Sequence, residues 1–305
     1  MTPRIGSVCT GYGGLDEAVR QVFGGELAWV SDIDAGACRI IRHRMPGVPN
    51  LGDLTTTRWE DVEPVDIYIG GYPCQPFSTA GHRKGTDDER HLWPFIAGAL
   101  RVLRPRIAIF ENVANHLRVG FGSVLVDLAD LGFDVEWCVV RADEVGAPHQ
   151  RRRLFVLAVA ADAADLGHEW ARTARGRGHG PADRGDAPAH SHSHERVGEP
   201  DEQRRAAASP RSGDRLELWN EYAPAVARWE AATGRYAPWA TDDQGRLSPA
   251  FVEWLMGLPA GHVTDVPGLT RTQQIKALGN GVIPQQAAAA VQLLAQRAGL
   301  RVAAA

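Results

Sequence analysis

Lysine, cysteine and long apolar runs are scarce in this chain. Its 305 residues include two lysines, Lys84 and Lys276, and four cysteines without a Cys-x-x-Cys spacing. Such cysteine usage argues against a structural zinc site or a disulfide framework and favours reduced thiols. No segment approaches about 18 uninterrupted apolar residues, and the amino terminus lacks the apolar region of a signal peptide. We therefore expect a cytoplasmic protein with no membrane partner.

Acidic residues only slightly outnumber basic ones. The 33 basic and 37 acidic residues give a formal net charge of -4, so any surface for nucleic acid must be local. Nearly all the cations are arginine, which suits bidentate contacts to phosphates and bases but fits a bias in genome composition equally well. A chain of 305 residues can form one large core and a second small domain.

The segment Gly-Gly-Tyr-Pro-Cys-Gln-Pro-Phe-Ser, residues 70–78, follows a short β-branched and aromatic run at 65–69 that predicts a buried strand. Ligands of open α/β sheets bind beyond the carboxyl ends of the strands. Pro73 and Pro76 stiffen the backbone on either side of Cys74, as would suit a nucleophile. The alternative for a lone cysteine is a small buried apolar residue.

Strand and helix patterns alternate along the first half of the chain. The alternation predicts an α/β fold with a doubly wound, mostly parallel sheet covered on both faces. Cys74, Glu111 and a glycine-rich turn at 11–14 then lie along one rim, because each follows a predicted strand. The strands are expected at 5–9, 27–30, 65–69, 107–110, 135–140 and 154–160.

The turn Gly11-Tyr12-Gly13-Gly14 opens a unit typical of nucleotide-binding folds. A nicotinamide-dependent oxidoreductase would also show a glycine turn, but its spacing would be Gly-x-Gly-x-x-Gly, with a pyrophosphate cradle that is missing here. Asp32 follows the second strand, where a ribose would bind. Asp34 could instead cap the next helix, the less specific role for an acid at this point.

Four elements resemble, in order, those of DNA (cytosine-5) methyltransferases. They are the segment around Cys74, Glu-Asn-Val at 111–113, His-x-Arg-x-Arg at 149–153 and Gly-Asn-Gly-Val at 279–282. The resemblance covers residues 5–160 and 248–297. It implies a Rossmann-like class I methyltransferase fold, S-adenosyl-L-methionine as methyl donor, double-stranded DNA as partner and no metal.

The resemblance also implies a covalent mechanism on a flipped-out cytosine. Cys74 would attack C6, Glu111 would donate to N3 and hold the exocyclic amino group, and Arg151 would hold O2. Arg153 would brace the loop through a carboxylate or a carbonyl. The alternatives are a solvated basic turn for the arginines and a helix N-cap for Glu111.

Further contacts are implied for the cofactor and for DNA. Cys9 stands where the family has a phenylalanine expected to pack near the cofactor, and Asp53 could alternatively form a plain turn. The irregular, polar segment 79–90 corresponds to a loop that closes over DNA, or is a surface loop without a role. The implied cofactor residues are Cys9, Thr10, Gly11, Tyr12, Gly13, Gly14, Asp32, Ile33, Asp53, Leu54, Pro73, Asn280 and Val282, and the implied DNA residues are Gln75, Ser78 and Arg90.

Composition changes after residue 160. We expect residues 1–160 and 248–305 to form the catalytic domain and residues 161–247 a smaller target-recognition domain. Ser248 before Pro249 predicts a helix start. The histidines at 190, 192 and 194 lack acidic or thiol partners at fixed spacing, so a solvated loop is favoured over a metal site.

Two alternative functions would also involve DNA. Amino-directed methyltransferases carry an Asp/Asn-Pro-Pro-aromatic tetrapeptide, which this sequence lacks. A module that kept the fold but lost catalysis is disfavoured by Cys74, Glu111 and Arg151, although Cys9 leaves it open. We expect a monomer that serves a restriction-modification system with a separate endonuclease, or a solitary or phage methyltransferase. The recognised DNA sequence is not readable, because the segment expected to read it matches no element.

Overall fold

The computed structural model describes residues 2–73, 92–161 and 219–302. These residues form a six-stranded sheet with the order β2-β1-β3-β4-β6-β5. Its strands are β1 (Arg4–Val8), β2 (Glu26–Ser31), β3 (Ile67–Gly70), β4 (Ile107–Val113), β5 (Phe133–Val140) and β6 (Arg153–Ala160).

The sheet is mostly parallel, as predicted. β1 pairs in parallel with β2 and β3, and β3 pairs in parallel with β4. β6 lies antiparallel to both β4 and β5, so it alone opposes the direction shared by the other strands. β4 runs on to Val113, beyond the predicted end at residue 110, because its register with β6 continues through that residue.

Eight α-helices accompany the sheet in the described parts of the chain. Asp34 caps the second by accepting from the Gly36 and Ala37 amides, and Ser248 caps the sixth, with Pro249 in its first turn. The helices are α1 (Gly14–Phe23), α2 (Ala35–Arg44), α3 (Trp93–Leu103), α4 (Phe121–Asp130), α5 (Ala223–Thr233), α6 (Pro249–Leu255), α7 (Arg271–Asn280) and α8 (Pro284–Arg297).

Helices cover both faces of the sheet. Neighbouring residues of a strand point to opposite faces, so each strand contributes side chains to both layers of the core. Tyr68 and Phe110 pack with α3 and α4 on one face. Ile67 and Ile109 pack with α1 and α8 on the other. α8 thus packs with α1 against the face of the sheet that carries Ile5 of the first strand.

A third apolar cluster lies beside the sheet and includes Tyr12, Trp229 and Trp254. The indole nitrogen of Trp229 donates to the carbonyl of Trp254 at 2.8 Å, which joins α5 to α6 across the predicted domain boundary at 247/248. Most of the predicted target-recognition domain lies outside the described residues, so its limits stay a prediction. Among the residues that are described, no helix has the length and apolar character to span a bilayer.

Candidate active site

The carboxyl ends of the four parallel strands bring the predicted site together. The glycine turn follows β1, Asp32 follows β2, Gly71 follows β3 and Glu111 lies near the end of β4. Adjacent parallel strands end at the same edge of the sheet, so these residues share one rim. Glu111 and the glycine turn therefore share a rim as predicted, whereas Cys74 lies outside the described residues.

The glycine turn is built from left-handed backbone. Gly11 and Gly13 have φ of 60° and 85°, and Cys9 adopts a φ of 52°, which is costly for a residue with a side chain. The Gly11 amide donates to Oδ2 of Asp32 at 2.9 Å, and the Gly13 amide donates to the Thr10 carbonyl at 2.9 Å. Burial and the nearby Asp32 charge raise the pKa of the Cys9 thiol to about 12, so this thiol stays neutral.

The Tyr12 side chain links the glycine turn to residues 281 and 282. Its side chain is buried, and its hydroxyl donates to the Val282 carbonyl at 2.7 Å. A Cβ at Gly14 would lie 2.1 Å from the same carbonyl oxygen, and a Cβ at Gly281 would lie 1.8 Å from the Tyr12 ring. The two predicted cofactor segments, 9–14 and 280–282, are therefore in direct contact, and Tyr12 can offer only backbone groups to a ligand.

The residues after β2 present an acid and an exposed apolar side chain. Asp32 accepts from the Gly11 amide through Oδ2 and from the Asp34 amide through Oδ1, and burial raises the pKa of its carboxyl. Ile33 is 70% exposed, which is unusual for a large aliphatic side chain next to a buried strand. Asp34 is the cap of α2 and pairs with Lys276, so its alternative role is the observed one.

The remaining predicted cofactor residues occupy the same end of the sheet or its border. Oδ1 of Asp53 accepts from the amide and the hydroxyl of Thr55 at 2.9 and 2.7 Å, as in a plain turn, while Leu54 is buried in the core. Asn280 is exposed at the end of α7, and Val282 is buried. Pro73 is exposed at the limit of the described segment.

Glu111 and Arg153 form a buried ion pair at the rim. Nε of Arg153 lies 2.6 Å from Oε1 of Glu111, and a Cβ at Gly71 would lie 3.4 Å from Oε2. Burial raises the pKa of the Glu111 carboxyl, although the charges of Arg153 and Arg151 oppose this shift. Glu111 therefore lies beside the segment that leads to Cys74 and can hold a proton more readily than an exposed glutamate.

Arg151 contacts the cofactor segment rather than Glu111. Its Nη2 donates to the carbonyls of Gly279 and Gly281 at 2.9 and 2.6 Å. The resemblance gives the O2 contact to Arg151 and a bracing contact through a carboxylate or a carbonyl to Arg153. Arg153 contacts the carboxylate of Glu111 and Arg151 contacts two carbonyls, so their division of roles stays a prediction. Arg151 lies just before β6, outside the regular strand, so the alternation of a strand does not predict its direction.

The backbone before Cys74 is held by residues that the sequence did not single out. Asn112 Nδ2 donates to the Tyr72 carbonyl at 3.3 Å, and the Tyr72 hydroxyl lies 2.8 Å from Nε2 of His116. Asn112 belongs to the Glu-Asn-Val element and could have been assigned this role. His116 follows no pattern that would have identified it.

Several predicted residues lie outside the described parts of the chain. They are Cys74, Gln75, Ser78 and Arg90, together with the segment 79–90 and the three histidines at 190–194. Their assignments stay predictions.

Comparison with known proteins gives consistent matches. The family model of C-5 cytosine-specific DNA methylases matches residues 4–177, more than half of the chain. The type II methyltransferase M.NgoBV of Neisseria gonorrhoeae is 31% identical over 169 residues, 51% of this chain and 40% of that protein. The orphan methyltransferase M.SPRI of Bacillus phage SPR is 30% identical over 52% of this chain and 38% of that protein. The matched part thus spans well under half of these curated relatives.

Solved structures resemble almost the whole chain. The S. pombe Dnmt2 methyltransferase has a TM-score of 0.61 with 15% identity, covering 98% of this chain and 100% of that chain. The Entamoeba histolytica methyltransferase EhMeth has a TM-score of 0.62 with 16% identity, covering 98% and 99%. At such low identity the likeness establishes the Rossmann-like methyltransferase fold alone.

Proposed function

Because the chain belongs to the C-5 cytosine-specific DNA methylase family, we propose that it transfers a methyl group from S-adenosylmethionine to C5 of a flipped-out cytosine in double-stranded DNA. The observation that carries this proposal is the buried Glu111–Arg153 pair beside Gly71, just upstream of Cys74. A proton donor and a fixed cation are thereby held next to the segment with the nucleophile.

The rim fits S-adenosylmethionine. The first-turn amides of α1 suit the cofactor carboxylate, since a helix N-terminus binds anions. The Asp32 carboxylate accepts from the amides of Gly11 and Asp34, and its two oxygens have further lone pairs that can accept from ribose hydroxyls. Ile33 offers an exposed aliphatic surface to adenine, and Asp53 and Asn280 complete the set. When bound, the cofactor supplies an electrophilic methyl carbon.

The chain's own residues activate the cytosine. A free thiol is only slightly ionised at neutral pH, so the site must favour the Cys74 thiolate. Addition of this thiolate to C6 moves electron density onto N3 and O2, where Glu111 donates a proton and Arg151 donates an N–H. C5 then becomes nucleophilic, and after methylation loss of the C5 proton expels Cys74 as thiolate. Arg153 braces the site through the carboxylate of Glu111.

The target base must leave the DNA stack, because C6 is attacked from above the ring plane. Flipping costs a few kcal/mol, which contacts to the rest of the duplex must offset. Residues 161–247, as target-recognition domain, and Gln75, Ser78 and Arg90 are proposed to supply them. Residues 1–160 with 248–305 form the catalytic domain in this proposal.

The biological setting is proposed from the relatives. A type II methyltransferase and an orphan phage methyltransferase are among them. Their names support an enzyme that acts beside a separate restriction endonuclease, or alone. We further propose that it is monomeric and cytoplasmic.

Covalent trapping tests the mechanism. Bisulfite sequencing of DNA from cells that express the protein first supplies the target site. With 5-fluorocytosine in that site, the wild type should form an adduct and Cys74→Ala should not, because the C6 nucleophile is gone while the fluorine blocks release. Cys74→Ala should also lose tritiated methyl transfer but keep its affinity for S-adenosylmethionine. Cys138→Ala, on β5, is the matched control, and equal transfer by Cys74→Ala would refute the mechanism.

A further inference from the structure

A loop at residues 259–265 contacts the glycine turn through His262. Nε2 of His262 lies 2.9 Å from the Tyr12 carbonyl oxygen, and the two rings meet edge to face with centroids 6.1 Å apart. A carbonyl can only accept, so Nε2 of His262 carries the proton and donates it. His262 is not among the cofactor residues predicted from the sequence.

This hydrogen bond fixes the orientation of one peptide plane. The plane between Tyr12 and Gly13 donates through the Gly13 amide to the Thr10 carbonyl at 2.9 Å, and it accepts through the Tyr12 carbonyl from His262. Gly13 has a φ of 85°, so its backbone could rotate more freely than that of other residues if one of these bonds were lost. The next residue begins α1, whose first amides are the proposed carboxylate site.

The loop that carries His262 is itself held by a buried acid. Glu253 is 2% exposed. It accepts from the amides of Gly261, Val263 and Thr264 at 2.7, 2.5 and 3.0 Å, and from the Thr264 hydroxyl at 2.9 Å. On the outer side, Nε of Arg44 donates to the His262 carbonyl at 2.8 Å. His262 is therefore presented to the turn on a preorganised loop.

We propose that His262 is a positioning residue for S-adenosylmethionine. It holds the Tyr12–Gly13 peptide and thereby aims the first amides of α1 at the cofactor carboxylate, without touching the cofactor. The proposal rests on the proposed function. It assigns control of cofactor affinity to a side chain that reaches the pocket only through the backbone of Tyr12.

Two substitutions separate the hydrogen bond from the packing of the ring. His262→Phe keeps a ring but removes the donor, whereas His262→Gln keeps an N–H at a similar reach. His262→Phe should raise the Kd for S-adenosylhomocysteine and the KM for S-adenosylmethionine about 2- to 12-fold, the range of one hydrogen bond, with kcat unchanged. His262→Gln should stay within about twofold of the wild type in both constants. Hydrogen exchange at the Gly13 amide should accelerate in His262→Phe alone.

The exposed His43 on α2 gives the control variant His43→Phe, which should leave all these values unchanged. An unchanged Kd in His262→Phe would refute the proposal. The proposal would also be refuted if His262→Gln lost as much affinity as His262→Phe, because the N–H at this position would then not matter. A loss of affinity accompanied by a matching fall in Tm would likewise indicate a merely structural role for His262. If the wild type bound no S-adenosylhomocysteine, the proposed function would fail instead, and exchange at Gly13 would still test the contact.

Discussion

At the scale of single residues, Glu111 and Arg153 illustrate how a site can combine an acid and a cation. Oε1 of Glu111 lies 2.6 Å from Nε of Arg153, and the two side chains are only 9% and 17% exposed. Removing one member of a buried pair leaves the other uncompensated and typically costs about 3–5 kcal/mol. Any variant at this pair must therefore be tested for stability as well as for activity.

Glu111→Gln should lower kcat by about 100- to 10,000-fold, because glutamine cannot deliver a proton to N3. Affinity for DNA should change much less, since the lost group acts on the flipped base alone. Single-turnover methyl transfer and DNA binding measure the two effects, with Tm recorded in parallel. Glu136→Gln, on β5, is the control acid on the same sheet. A fall in DNA affinity as large as the fall in kcat would contradict the role given to Glu111.

At the scale of elements, the β1–α1 turn and the link between α7 and α8 interlock through glycines. The Tyr12 ring occupies the space where a side chain at Gly281 would be, and the Val282 carbonyl occupies that of Gly14. Such close approach leaves no room for a methyl group. Each of the two segments therefore determines the conformation of the other.

Gly281→Ala should destabilise the protein by about 1–3 kcal/mol and weaken cofactor binding, because its Cβ would displace Tyr12. Gly279→Ala is the matched control, since a Cβ there meets no atom within 4 Å and alanine favours the helix. Urea unfolding and calorimetry with S-adenosylhomocysteine give the two quantities. If Tyr12→Leu abolished the effect of Gly281→Ala, the clash would be identified as its cause. Equal stability of the two alanine variants would exclude the clash.

At the scale of the whole molecule, the sequence predicted the architecture because its signals are local. Strand patterns, the Ser248 cap and the glycine turn each depend on a few adjacent residues, and the parallel sheet follows from their alternation. The Asp34 cap was foreseen as an alternative for the same reason. Glu111 was located correctly at the rim since it follows an apolar strand.

Contacts between distant segments could not be read in this way. His262 and Tyr12 are 250 positions apart, and no periodicity links them. Which of Arg151 and Arg153 contacts Glu111 depends on the conformation of the short segment that leads into β6. The pair of Tyr72 and His116 depends on how α3 and α4 cover the sheet. In each case the deciding information is three-dimensional packing rather than residue type.

The pH dependence of stability should carry the signature of Asp16, which is 2% exposed in α1. Burial raises the pKa of its carboxyl from 3.8 to about 6. The native state then binds more protons than the unfolded state between these values, so the free energy of unfolding falls as pH rises through about 4 to 6 and levels off above. Asp16→Asn removes this titration, and its stability relative to the wild type should rise by up to about 3 kcal/mol from pH 4 to pH 7.

Urea unfolding at several pH values measures this difference for Asp16→Asn. Other buried acids titrate in the same way in both proteins, so their contributions cancel in the difference between the two free energies of unfolding. Glu17→Gln, an exposed acid in the same helical turn, is the control. A difference between Asp16→Asn and wild type that is constant with pH would refute the assignment.

The interlock of the first turn with residues 280–282 also bears on synthesis. A ribosome completes the six described strands by residue 160, yet the partner of Tyr12 at Val282 has still to be translated. The growing polypeptide would therefore contain every one of these strands well before the Tyr12 hydroxyl could meet its acceptor.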